Sequence, residues 1–79
     1  MSNPRNARRY IVINGTRSKM YGYDQNGKLR MIFNLPWLRP FLFATQIDAY
    51  VTAQKLAGNV FEWPGEIYEN AEDDNMLSR

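Results

Sequence analysis

The 79-residue sequence predicts an α+β fold: a small antiparallel sheet of three to four strands with one helix packed on one face, in the order β-β-β-α-β. Three observations carry this. Short stretches rich in β-branched and aromatic residues stand at 9–14, 19–24 and 28–34, separated by turn-forming residues. A segment from Thr45 to Gly58 has helical punctuation at both ends. A last β-like run, "NVFEW" at 59–63, stops at Pro64-Gly65.

The first strand, "RYIVIN", is apolar on both faces, as a central strand should be. "GTRSK" follows as a connection of hairpin length. The next two strands flank Asn26-Gly27, a dipeptide that tolerates the positive φ of a type I′ turn. A two-residue turn sets Gln25 opposite Lys28, Met20 opposite Phe33 and Gly22 opposite Met31. Extending this pairing with Ile13 opposite Met20 gives one face of Ile11, Ile13, Met20, Leu29, Met31 and Phe33. The other face carries Tyr10, Val12, Tyr21, Tyr23, Arg30 and Ile32.

"LPWLRP" interrupts regular structure at Pro36 and Pro40. In the helix, Thr45 is placed to cap the N-terminus, with Asp48 three residues on. Lys55 falls in the last turn, and Gly58 suits the left-handed position after it. Ala49, Ala53, Leu56 and Ala57 form one stripe, joined by Tyr50 and widened by Ile47 and Val51. That stripe is expected on the uncharged face of the sheet, with Leu56 and Val51 carrying much of the stability.

Residues 1–8 read as a flexible basic arm, 9–68 as a single domain and 69–79 as a flexible acidic tail. The charge is correspondingly uneven. Residues 1–61 hold nine Lys or Arg against Asp24 and Asp48, whereas 62–79 hold six acids against Arg79. The chain lacks cysteine and a signal-like apolar run behind "MSNPRNARR", which points to the cytoplasm. "LPWLRPFLFA" is too short and too interrupted to span a bilayer, so a membrane partner is not expected.

The chemistry of an enzyme is hard to assemble from this composition. With neither His nor Cys, the usual general base, nucleophilic thiolate and commonest metal ligands are missing. Glu62 and Glu66 flank a Pro-Gly bend, and nothing else converges on them. "DQNG" lacks the later acidic ligands of a calcium loop. No catalytic residue, metal site or cofactor is expected, and the chain reads as a non-enzyme.

The aromatic face then poses the functional question. If "LPWLRPFLF" folds across it, Trp37, Leu38, Phe41 and Phe43 complete a second small core. If it stays open, Tyr10, Tyr21, Tyr23 and Arg30, with Trp37 and Arg39 on the loop, form a surface for a protein partner, since Tyr, Trp and Arg dominate interface energetics. A second copy of the chain is among the partners such a surface would take. The alternative is a single-stranded nucleic-acid binder, in which Arg5, Arg8, Arg9, Arg17 and Lys19 hold phosphates beside stacking tyrosines. In size and composition the chain resembles small accessory or inhibitor proteins, such as those of phages, that act by occupying a partner's surface.

Overall fold

The computed structural model describes residues 8–70. It contains β1 (Tyr10–Asn14), β2 (Lys19–Tyr23), β3 (Leu29–Phe33), α1 (Gln46–Leu56) and β4 (Gly58–Glu62). The strands form a single antiparallel sheet in the order β3-β2-β1-β4, with one helix, so the expected α+β order is the observed one.

The β2–β3 turn differs from the expected two-residue turn, and the reason is Asp24. Its carboxylate accepts from the backbone N–H of Asn26 at 2.8 Å and of Lys28 at 2.9 Å. Gly27 N–H donates to Asp24 O, and Gly27 adopts φ 80°. The result is a three-residue loop, a turn over Gln25-Asn26 followed by a left-handed glycine. The register shifts by one: Met20 opposes Ile32, Tyr21 opposes Met31 and Tyr23 opposes Leu29. Because strand side chains alternate, this single step exchanges the two faces of β3. Leu29, Met31 and Phe33 therefore join Tyr21 and Tyr23, while Arg30 and Ile32 join Ile11, Ile13 and Met20.

β1 and β2 pair at Ile13–Met20 and then separate. Residues 40–43 enter the gap. Tyr10 and Phe43 exchange backbone hydrogen bonds of 3.0 and 2.8 Å, and Phe41 N–H donates to Tyr21 O at 2.8 Å. Gly22 allows this close passage: a Cβ there would lie 3.0 Å from both Arg39 O and Ile32 Cδ1.

The helix packs on β1 and β4, on the tyrosine face and not on the Ile11 and Ile13 face expected from the sequence. Connectivity decides this. Phe41 and Phe43 lie within four residues before the N-cap Thr45, and Phe43 stacks on Tyr21 with ring centroids 5.7 Å apart. The helix must therefore start on that side. Val12, Phe43, Ala49 and Ala53 form the buried cluster, with Tyr10, Tyr21, Phe41 and Val60 packed around it. Ala49 and Ala53 alone on the helix are buried; their small side chains let its axis approach the sheet. Ile47, Tyr50 and Val51 face outward, and Leu56 lies at the margin with 37% exposure, so the stripe is narrower than the sequence implied. The left-handed residue ending the helix is Ala57, at φ 56°, while Gly58 already begins β4 opposite Asn14.

The other face of the sheet buries Ile11 and Met20. Beyond β4, Trp63 N–H continues the ladder to Arg9 O. The chain then returns to the 40–42 segment. Tyr68 donates its hydroxyl to Pro40 O, and the Asn70 amide both accepts from Leu42 N–H at 2.9 Å and donates to Leu42 O at 3.0 Å. Residues 66–70 thus tie back to the 40–42 segment without forming a strand. The remainder of the expected acidic tail, and residues 1–7 of the expected arm, lie outside the described residues.

Candidate functional site

Tyr10 and Tyr21, expected on an open platform, are half-buried against the core. Phe41 sits edge-on to Tyr21 at 6.0 Å and to Tyr23 at 5.9 Å, so the loop covers this face with its second half. Arg30 is on the opposite face and pairs with Asp24 at 3.5 Å. Arg39 lies over the Tyr68 ring at 4.8 Å. The six residues grouped as a partner surface are therefore divided among three environments. Tyr10 and Tyr21 serve the core, Arg30 and Arg39 lie on the other side, and Tyr23 and Trp37 remain near the outer hairpin.

The basic residues also fail to converge. Arg17 lies over Phe61 at 5.1 Å, on the Ile11 face. Lys19 lies over Phe33 at 5.5 Å, on the Tyr21 face. Arg8 stands at the far end of β1, within 4.0 Å of Glu62, and the Arg9 guanidinium donates to Arg8 O. Arg5 lies outside the described residues. Arg17 and Lys19 are thus occupied by aromatic rings on opposite faces of the sheet, and no continuous basic track joins them to Arg8 and Arg9.

What does converge is apolar. Phe33 is 63% exposed and Trp37 74% exposed, and Leu38 is exposed beside them. All three fall within six residues where β3 ends and the 34–39 turn begins. The helix, which rests on β1 and β4, leaves this end of the sheet bare. Lys19, Tyr23, Met31, Ile32, Phe33 and Leu38 line a groove of about 510 Å³ here. Met31 and Phe33, expected under the helix, share its face, but the helix lies over β1 and β4 and stops short of β3. The sequence signal for the register of β3 is Asp24 preceding Gln-Asn-Gly, a side-chain cap that selects the three-residue loop.

β3 is also an edge strand. Asp24 N–H donates to Lys28 O and Asn34 N–H to Ser18 O, which fixes the hydrogen-bonded pairs of the β2–β3 ladder. By alternation, Lys28, Arg30, Ile32 and Asn34 turn their backbone groups toward β2, and Leu29, Met31 and Phe33 turn theirs outward. Among the described residues, Leu35 N–H meets Phe33 O, and no backbone group meets those of Leu29 or Met31 on the outer side.

Two titratable groups are tuned by the fold. The backbone N–H of Lys28 is the largest influence on the Asp24 carboxyl; burial opposes it, and the Asn26 N–H with the Arg30 and Lys28 charges leave the group below its ordinary 3.8. Burial pushes the Tyr68 hydroxyl up to about 12, although the nearby Arg39 charge acts in the other direction. Both groups fix loops, and neither faces a nucleophile or a base. Among the described residues there is no cluster of three or more His, Cys, Asp or Glu suited to a metal ion, and no helix long and apolar enough to cross a membrane. No protein-family model, curated protein or solved structure matches this chain.

Proposed function

We propose that this protein is a non-enzymatic module that binds a protein partner through the outer edge of its β2–β3 hairpin. The carrying observation is the concentration of Phe33, Trp37 and Leu38 beside an edge strand. Isolated exposed apolar side chains are ordinary, but Phe33 and Leu38 line one groove, with the exposed Trp37 next to Leu38 in the chain, and apolar side chains gathered at a groove are the usual form of an interaction site. Tyr23, Met31 and Lys19 complete its lining. The interaction belongs in the cytoplasm, where a cysteine-free chain needs no oxidative folding. In scale it matches a small accessory or inhibitor protein that works by occupying a surface.

The test is Phe33→Ser/Trp37→Ser, made in a tagged chain co-expressed with the untagged one and captured from the cells that produce it. The wild type should retain a protein, identified by mass spectrometry with the untagged chain counted among the candidates. The variant should lose it while melting within a few degrees of the wild type, because both side chains are mostly exposed. Equal capture by the variant would overturn the reading. A single-stranded oligonucleotide titrated against salt supplies the counter-test. Tight binding with a steep salt dependence would move the protein to the nucleic-acid class.

A further inference from the structure

We infer that β3 pairs with β3 of a second copy of this chain, antiparallel and centred on Met31, joining two four-stranded sheets into one. This rests on the proposed binding role of the hairpin edge and specifies its occupant. The register argues for self-pairing. Outward backbone groups stand at Leu29, Met31 and Phe33, so a two-fold axis at Met31 sets Met31 against Met31 and Leu29 against Phe33 in hydrogen-bonding register, with Phe33 O, which already accepts from Leu35 N–H, using its second lone pair. The intervening residues meet as Arg30 with Ile32, and no like charges oppose each other. An axis at Arg30 would bring two arginines together. An axis at Ile32 would leave Leu29 unpaired. The Met31 register alone uses all five strand residues.

Edge strands of monomeric proteins are ordinarily blunted by a lysine, a proline, a bulge or a covering element. β3 has none of these within Leu29–Phe33, and its single charge, Arg30, is already paired with Asp24 in the same chain. The opposite edge, β4, lies under the helix and has Glu62 near its end. In the proposed pair, the Phe33 end of one copy lies beside the Leu29 end of the other. Leu38, which lines the same groove as Phe33, then adds apolar area next to a ladder that would be short by itself.

Sedimentation equilibrium of the full chain over micromolar to millimolar concentrations should show reversible assembly from the 9.3 kDa chain to a species of twice that mass. Met31→Pro removes an outward N–H while leaving the β2 ladder intact, and should give a monomer at every concentration. Should that variant unfold, Phe33→Glu decides instead: Lys19 lies directly opposite and spares the fold, while a carboxylate facing Leu29 of the partner should abolish the dimer. The register has its own readout, since the native chain lacks cysteine. Met31→Cys should cross-link to itself under mild oxidation, because hydrogen-bonded antiparallel partners lie about 5.5 Å apart at Cα, within disulfide reach. Val51→Cys, on the outer helix face, should not. A wild-type chain that is monomeric throughout would overturn self-pairing and leave the capture experiment to decide the binding role. A dimer that cross-links through Val51→Cys in place of Met31→Cys would also overturn it.

Discussion

Ala57, like Arg17, is a non-glycine residue in the left-handed region, and it stands at the helix end. Its N–H still donates to Ala53 O, so the cap is made at the cost of a crowded Cβ. Ala57→Gly should stabilise the protein by about 1 kcal/mol, read as a rise in the urea midpoint at unchanged slope. Asp24 offers a second residue-scale test. Its folded-state pKa lies below the ordinary value, so its stabilising effect is present above 3.8 and is lost as pH falls through that value and below. Thermal melts against pH should show an acid-side decline that is smaller in Asp24→Asn, with a lower plateau at neutral pH. Tyr68 supplies the alkaline counterpart. An unfolded tyrosine ionises near 10, whereas the folded hydroxyl holds its proton to about 12 while donating to Pro40. Stability should therefore fall as pH rises from 10 through about 12, and Tyr68→Phe should remove that fall while lowering stability at neutral pH.

At the scale of the element, the helix is held by two alanines. Ala53 is nearly fully buried against Val12 and Phe43, so Ala53→Leu should overpack the contact and cost about 1–3 kcal/mol. Val51 points outward, and Val51→Ala should stay within about 0.5 kcal/mol of the wild type. Leu56, at the margin, should lose less than the 2–5 kcal/mol typical of a fully buried leucine truncated to alanine. Chemical denaturation of the three variants orders them. A Val51→Ala loss as large as that of Ala53→Leu would show that the outer face is covered in solution.

For the molecule as a whole, the C-terminal tie joins elements that the sheet leaves apart. Residues 40–43 separate β1 from β2, and the Asn70 amide holds Leu42 in that gap by two hydrogen bonds. Asn70→Ala leaves a part-buried donor and acceptor unmatched, which should cost about 1–3 kcal/mol. For a domain of this size, each kcal/mol lowers the melting temperature by about 4–8 °C. Ending the chain after Asn70 should preserve the melting temperature, whereas ending it after Glu69 should reproduce the Asn70→Ala loss.

The order of elements, the cap at Thr45 and the alanines that dock the helix were determined by the sequence, because each depends on residues a few positions apart. Thr45 meets Asp48 N–H within one turn, and Ala49 and Ala53 share a face through the helical repeat alone. The uneven exposure of the aromatic residues was not legible in the same way. Which face Phe33 takes depends on one residue of loop length, set by the Asp24 carboxylate reaching two backbone N–H groups, while its exposure follows from the helix lying over β1 and β4, away from β3. Likewise Phe41 and Phe43 are core while Trp37 is exposed, although all belong to one proline-broken run. Alternation along a strand turns a local choice into a global one: a slip of one residue moves a whole set of side chains to the other face. Only the tertiary structure, in which 40–43 enters between β1 and β2 and brings the helix down on the tyrosine side, decided which apolar residues had a place inside.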